Sequence, residues 1–554
     1  GNGNGDGGDG DLTVSDGAKV TASVIAVGVD PTSTGTILLT GAGTSMSSVV
    51  HGTFLGNVYA GSEGNGTIIV QDGASLSADN ELRIAYDAAA TGRFIIGAAE
   101  GDPAAGAGTV AAAQGVVFGD GDGQLIFNHT SDDYTFANAI KGNGGEIRQL
   151  AGVTNLTVDS TSYFGDISVL GGTLKVNADF SGADTTVSDA GTLGGTGTVG
   201  NLVVNAGGTV APGNSIGTLH VAGDYTQTTG GTYLVELAAD GSSDLIAVTG
   251  TAHLGGDVAI ASGSTYTLGN TYTILTAGTV DGEFDTEQVA LSLFANATLQ
   301  YEPGAVELSI DKARSFASAG ITANQRAVGF ALDQMPGGNP IVDAVTSLQT
   351  LGAAQQAFNA LSGEVYASAD TVLQQQSIYV RQAVGSRLRE LTTAPAFQPL
   401  AYATKAPATA KLAPDLAPPL WAQGYGGWGD GFSDGNAATI SNTIGGFLIG
   451  ADVALLDNVR AGVFGGYRRS TFDVDSRSSS GDMDNYDLGL YAGAQFGAVA
   501  ARAAFAYAWH DVSVDRIVSF PGFAQALSGG YSNGSFQLFG ELGYDMSLGA
   551  YAFE

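Results

Sequence analysis

Over its first 310 residues the chain alternates apolar and polar positions in short runs, each broken by a Gly-Asn, Gly-Gly or Asp-Gly turn. Alternation with period two predicts strands, and such turns supply the positive φ that Gly, Asn and Asp tolerate. The runs also repeat. GDLTVSDGAKVTA from Gly10 matches GTIIVQDGASLSA from Gly66, placing Val14, Asp16, Gly17 and Ala18 on Val70, Asp72, Gly73 and Ala74. GTILLTGA from Gly35 matches GRFIIGAA from Gly92 after a one-residue slip. Coarser copies follow at Gly171 (GGTLKV), Ala190 (AGTLGG), Gly207 (GGTVAPG), Ile216 (IGTLHV) and Gly230 (GGTYLVEL). Repeats of about 20–30 residues, each a short strand and a glycine turn, predict a β-solenoid whose rungs bury their apolar faces by stacking.

From about residue 320 to 391 Gly thins out and Ala, Gln, Leu and Val take over. Val365, Val372, Val380, Val384, Leu388 and Leu391 fall close to helical spacing, and Arg381, Arg387 and Arg389 crowd the end, where cations suit the helix dipole. Six of the 13 prolines follow within residues 395–419, which marks a linker. Beyond Leu420 the alternation becomes strict. Leu488, Leu490, Ala492, Ala494 and Phe496 share one face, opposite Gly489, Tyr491, Gly493 and Gln495. Phe536, Leu538, Leu542 and Tyr544 likewise oppose Gln537, Phe539, Glu541 and Gly543. Six such strands are predicted over 420–429, 444–456, 459–474, 483–497, 499–518 and 529–547, with a seventh starting at Ala550. Their pattern is that of transmembrane β-barrel strands, with Trp421, Tyr425, Trp428, Tyr467 and Trp509 as girdle aromatics. No apolar run approaches the roughly 18 residues of a spanning helix; the best, at 498–509, carries Arg502. Membrane contact must therefore come through strands.

Composition sharpens this division. Of 554 residues 85 are Gly, and 20 Lys and Arg face 54 Asp and Glu for a net charge of −34. Without cations to displace counterions, nucleic-acid binding is excluded. A hydrophobic fraction of 44% and a mean hydropathy of +0.14 exclude a wholly disordered acidic chain. Zero Cys excludes disulfides, a thiolate nucleophile and Cys-ligated metal. The first 310 residues hold 33 acids and 6 bases, the remaining 244 hold 21 and 14, so the two parts are different materials.

This order of parts resembles the autotransporters, the type V secretion proteins of Gram-negative outer membranes. The likeness rests on the Gly-rich repeats, GTVGNLVVNAGGTVAPGNSIGTLHVAGDY at 196–225, ALSGEVYASA at 360–369 and WAQGYGGWG at 421–429. It implies an all-β chain: a right-handed parallel β-helix passenger, a short helical linker, and an incomplete antiparallel transmembrane β-barrel. The implied domains are passenger repeats (1–195), an autochaperone-like region (196–310), a helical junction with a pore helix at 365–391 (311–391), the linker (392–419) and about the first half of the barrel (420–554). The implied partners are outer-membrane lipid, the barrel-assembly machinery, periplasmic chaperones and a host or cell-surface ligand. The barrel would lie in the outer membrane with the passenger at the cell surface. The start without Met and the stop within a strand pattern at Glu554 suggest a fragment, lacking about six strands and the terminal aromatic residue of the family. The acids are expected to oppose aggregation and backsliding.

Candidate chemistry is sparse. GNSIG at 213–217 fits the nucleophile-elbow pattern, but a strand-like TLHVAGDY follows where a helix is needed, so Ser215 reads as a turn residue. Ser45 in GTSMSS and His51 in HGT echo subtilisin-like motifs in the wrong order, with no upstream aspartate motif. His51, His129, His220, His253 and His510 lack metal-ligand spacing and read as surface or lumen residues. GGDGDL from Gly7 places Leu12 where a calcium-binding repeat needs Asp, so the start reads as a flexible linker. Some autotransporters release the passenger by cyclisation of an Asn in the pore helix. No Asn lies between Val365 and Leu391, with Asn359 the nearest upstream, so that route is expected to be closed. Arg381, Arg387 and Arg389 are expected to meet lumen acids such as Glu541. No catalytic, cofactor or metal residue is assigned, and the chain is expected not to be an enzyme. The expected function is export of its own adhesive or structural passenger. The alternative is an exporter and spacer for a protease or lipase domain N-terminal to Gly1.

Overall fold

The computed structural model describes residues 8–393, 420–548 and 551–553. The opening Gly-rich stretch through Gly7, and the proline-rich linker from residue 394, lie outside them. The chain forms two compact units, one running through Ala313 with Pro336–Asn339, the other comprising Arg314–Met335 and Pro340 onward.

In the first unit twelve strands, from Asp9–Val14 to Thr279–Gly282, stack in parallel into one sheet, and sheets of four, five, seven and eight strands form the other faces. One row of the large sheet runs Leu12, Ile37, Ile68, Phe94, Leu125, Ile147, Ile167, Thr185, Leu202, Tyr225, Ala252, Val280. From Ile68 to Ala252 every member is buried. Full burial of one such apolar side chain is worth about 1.5–3 kcal/mol, and here it exists only because rungs lie above and below.

A second row is glycine: Gly10, Gly35, Gly66, Gly92 and Gly123. A Cβ on Gly66 would stand 2.2 Å from the Gly61 nitrogen and 2.5 Å from the Val27 carbonyl oxygen, so the neighbouring rung leaves no room for a side chain. The spacing along this row alternates short and long: 25, 31, 26 and 31 residues. The matching segments at Gly10 and Gly66 are therefore rungs one and three, and those at Gly35 and Gly92 are rungs two and four. The sequence repeat spans two rungs. Its Asp-Gly pairs turn alike, Asp16 and Gly17 at φ 58° and 76°, Asp72 and Gly73 at 55° and 77°.

The acidic residues of this unit also do structural work. Asp184 Oδ1 accepts the Asn201 backbone and side-chain N–H groups (3.3 and 2.9 Å). Asn201 Oδ1 accepts the Asp224 N–H (2.8 Å), and Asp224 Oδ1 accepts the Thr251 N–H (2.7 Å). Each rung's carboxylate or amide thus satisfies a corner donor of the next, where the sheet ladder is interrupted. Parallel stacking ends at an antiparallel hairpin, Ala295–Glu302 with Ala305–Lys312, which pairs with Thr271–Thr276 and covers the last rung's core with Leu308 and Ile310.

In the second unit the segment read as helical from about 320 resolves into α1 (Ala323–Asp333), α2 (Pro340–Thr346), α3 (Leu351–Leu361) and α4 (Glu364–Thr393). Six antiparallel strands follow in chain order: Leu420–Gly431, Ile440–Leu456, Val459–Val474, Ser479–Phe496, Val499–Phe520 and Phe523–Tyr544. Among the described residues the sheet is open, its first and last strands paired on one side each. A short hairpin, Met546–Leu548 with Tyr551–Phe553, forms a separate sheet. Several strands run past the expected ends because stretches such as SSGDMD keep the ladder without the apolar alternation that pattern reading needs. No described helix is long and apolar enough to cross a membrane.

Candidate functional site

The six strands sort their side chains by register. One outward row is Ala451, Val463, Leu490, Phe505 and Leu538; four residues further along lie Phe447, Tyr467, Tyr486, Trp509 and Gly534. At the other end of the same face sit Phe496, Val499 and Tyr544. From Val499 to Trp509 is ten residues, which on a strand tilted as in membrane barrels rises about 25 Å, the height of a bilayer's apolar band. Directly above the aromatic row the same face turns polar, with Arg469, Asp484, Asp511 and Ser532. Of the expected girdle residues Tyr467 and Trp509 take that place, but Trp421 and Tyr425 face inward. Trp421 Nε1 donates to the Tyr491 hydroxyl (2.7 Å), and Tyr425 stacks on Tyr379 of α4 (5.5 Å, 6° between planes). Both serve the helix rather than the bilayer surface.

The inner face holds α4, about 45 Å long at 1.5 Å per residue. Its outer half packs Val365, Ala369 and Val372 against Ile440, Phe472, Val474, Met483, Val512 and Val514. Its inner half packs Val380, Ala383, Val384 and Leu388 against Leu448, Phe464, Tyr491, Ala504 and Ala506. Polar contacts fix the height of the helix at three levels. Glu364 pairs with Arg477 (2.9 Å) and accepts the Ala438 N–H (3.0 Å). Gln376 donates to Asn442 (3.3 Å) and accepts from Ser470 (2.6 Å). Arg387 grips Asp452 through Nε and Nη2 (3.0 and 2.8 Å), while Arg460 holds the other carboxylate oxygen (3.2 and 2.7 Å) and Tyr491 donates a further bond (3.0 Å). The Asp452 carboxylate is wholly buried. Gly427 opens room for Tyr379, since a Cβ there would stand 2.0 Å from the tyrosine oxygen.

Of the arginines expected to meet lumen acids, Arg389 pairs with Glu541 (2.8 Å), which Arg502 also engages, while Arg387 goes to Asp452. Arg381 lines a cleft of about 260 Å³ beside Arg389, Arg502 and Glu541. Sequence reasoning missed Asp452, Arg460 and Gln376. A lone acid inside the apolar run FLIGADVALL was the available signal for the first.

The candidate chemical residues scatter. Ser215 stands in a solenoid turn followed by the strand Thr218–Val221, with its hydroxyl 3.5 Å from Glu236. Ser45 pairs in register between Lys19 and Ser75, while His51 closes a small turn with Phe54 through backbone bonds of 3.1 Å. His129 departs from the expectation of a surface or lumen histidine. It is buried in the solenoid core against Tyr134 (5.1 Å between centroids), with Nε2 2.9 Å from the Thr154 hydroxyl, and burial pushes its imidazole down to about 4. His510 lies on the inner wall between Asn485 (2.6 Å) and Ser535 (2.8 Å). Asp244, also buried, accepts the Gly217 and Glu236 N–H groups (3.0 and 2.8 Å); burial, aided by the charge of Glu236, raises its carboxyl to about 6. Among the described residues no group of three or more His, Cys, Asp or Glu could hold a metal ion.

A strand wall with a lipid-height apolar band, and a helix of the same chain seated on its inner face, define an outer-membrane β-barrel type of translocator joined to a parallel β-helix. Residues 420–554 match the autotransporter beta-domain family. The chain thus carries an autotransporter β-domain, which belongs to the outer membrane. It is similar to two proteins of Serratia marcescens named extracellular serine protease. One is 30% identical over 477 residues (76% of this chain, 44% of the relative) and the other 28% over 368 residues (57% and 34%). A shorter match, 29% over 166 residues (29% of this chain, 11% of the relative), is to the uncharacterized protein YuaQ of Escherichia coli K12. The chain thus spans less than half the length of the Serratia relatives. They overturn the expectation that the chain is not an enzyme, because the likeness runs through most of it and the relatives bear a protease name.

Proposed function

We propose that the solenoid is an exported spine carrying a proteolytic passenger activity, as the name of the Serratia relatives suggests. The observation that carries the spine role is the unbroken twelve-stranded parallel stack. Eleven inter-strand steps make a rod about 50 Å long, with every rung held by its neighbours. Such a rod suits presentation of a functional group on an extended scaffold. The register of the solenoid also favours a contact role: Thr173, Thr192, Thr209 and Thr232 stand in one outward column on consecutive rungs. This column supports an adhesive reading of the same passenger, with binding spread along a face.

The test is display of the full-length protein on a Gram-negative host lacking its own surface proteases. Casein hydrolysis by cells or medium, abolished by a serine-directed inhibitor, is the expected result. Displayed passenger without hydrolysis would overturn the proteolytic reading. Loss of cell adhesion on replacing the four column threonines by Lys would then favour the adhesive one.

A further inference from the structure

Above the aromatic row, the strands and hairpins of the second unit continue outward around the start of α4. Two outer arginines converge there on one corner of the chain. α3 ends at Leu361, α4 begins at Glu364, and Ser362 and Gly363 form the corner between them. Arg516, on the outer part of Val499–Phe520, donates through Nη2 to the carbonyl oxygens of Ala360 (2.9 Å) and Ser362 (2.8 Å). These belong to the carbonyls a helix C-terminus leaves unpaired, where a cation also meets the negative end of the helix dipole. Arg477, in the turn between Val459–Val474 and Ser479–Phe496, pairs with the buried Glu364 carboxylate on the other side of the corner (2.9 Å). Glu364 in turn holds the Ala438 N–H of the first outer loop and the Asn324 side-chain amide of α1 (3.3 Å). The hairpin turn at Gly522 lies against α2, with Ala344 Cβ 3.5 Å from where a Cβ on Gly522 would be. The outer hairpins therefore hold the corner from separate strands and from both sides.

We propose that Arg516 and Arg477 are positioning residues that latch the Ser362–Gly363 corner over the outer mouth, and that this latch keeps the channel closed to solutes once export is complete. It deepens the export reading of the same domain. While the chain is still crossing, the corner has not formed and both guanidiniums face water. When α3 and α4 fold, Arg516 exchanges water for charge-assisted bonds to the corner's carbonyls, and Arg477 exchanges it for an ion pair with the buried Glu364. The apolar seat of α4 fixes the helix in the lumen, and the latch closes the part of the mouth above it.

The test uses the full-length protein, purified from outer membranes and inserted in planar bilayers. Arg516→Ala removes two charge-assisted bonds, which should raise the fraction of time the channel conducts about tenfold or more. Arg477→Ala should act in the same direction, and Arg516→Lys, which keeps a donor at reduced reach, should restore much of the closed state. Arg469→Ala, an outer cation that touches Asp482 and Asp484 rather than the corner, should leave conductance as it was. Heat-modifiable migration of each variant reports whether the barrel is folded. If Arg516→Ala does not fold, Arg516→Gln carries the same expectation. Unchanged conductance in folded Arg516 and Arg477 variants overturns the latch. An equal rise in Arg469→Ala also overturns it, because the effect would then follow outer charge in general. Failure of export itself would show separately, as loss of surface passenger before conductance is measured.

Discussion

Asp452 should be the costliest polar side chain to alter in the helix seat. Its buried carboxylate takes five hydrogen bonds, two from Arg387, two from Arg460 and one from Tyr491. Asp452→Asn removes the charge while both guanidiniums stay, and that of Arg387, nearly as buried as the carboxylate, keeps only the exposed Glu390 at 3.4 Å. Leaving a buried charge without its partner costs about 3–5 kcal/mol. Arg387→Leu acts differently, since Asp452 keeps Arg460 and Tyr491, and the loss is that of charge-assisted bonds, about 1.5–3 kcal/mol. The two changes meet at one carboxylate, so the double variant should cost clearly less than their sum. The assay is the denaturant midpoint of the full-length protein in detergent, read by heat-modifiable migration and tryptophan fluorescence. If Arg387→Leu destabilises as much as Asp452→Asn, or if the two costs add, Asp452 is not the hub described and the reasoning fails.

Gly427→Val should block the Tyr379 seat and cost several-fold in correctly assembled barrel, measured by migration, with Tyr379→Ala partly rescuing it. Gly66→Ala should destabilise the solenoid, since its Cβ would meet backbone at 2.2 Å; proteolysis of the displayed passenger would report the loss. Thr185→Val should stabilise the passenger by about 1–2 kcal/mol, because its hydroxyl is buried without a partner among apolar rungs and replacing such a group removes a desolvation cost. The pH response has two opposing parts. His129 stays neutral in the fold down to about 4, against 6.5 when free, so the unfolded chain takes the proton first and stability falls as pH drops through that window. Asp244 holds its proton up to about 6 in the fold, against 3.8 when free, so it adds stability as pH falls through 6 toward 4. Unfolding midpoints from pH 7 to 4 should therefore show His129→Gln less acid-sensitive than the parent and Asp244→Asn more so; the reverse order would refute the assignment.

Much of the fold was open to sequence reading because it rests on local periodicity. Alternation along 420–554 placed the lipid-facing rows, and the Asp-Gly turns at 16–17 and 72–73 placed solenoid corners, since side-chain period and left-handed φ are properties of a few neighbouring residues. The outer strand ends were harder. Where the outward face turns from lipid to water, as at Ser479–Asp482, the hydrogen-bond ladder continues but the apolar signal stops. The helix seat was less legible still. Arg389 with Glu541 follows from opposite charges on predicted elements, yet Arg387 chose Asp452, a residue 65 positions away.

Sequence alone determined that this chain is a β-solenoid joined by helices to membrane-type strands, because burial by stacking, alternation and helix spacing are written in each segment's own pattern. Tertiary structure decided what lies against what. The rung register made the two-rung repeat intelligible, turned acids from mere charge into corner acceptors, and sent Trp421 and Tyr425 inward to the helix. The reason is physical. A side chain's intrinsic preference depends on its neighbours in the chain, but a buried carboxylate or a missing Cβ is settled only by the atoms that another part of the chain brings within a few ångströms.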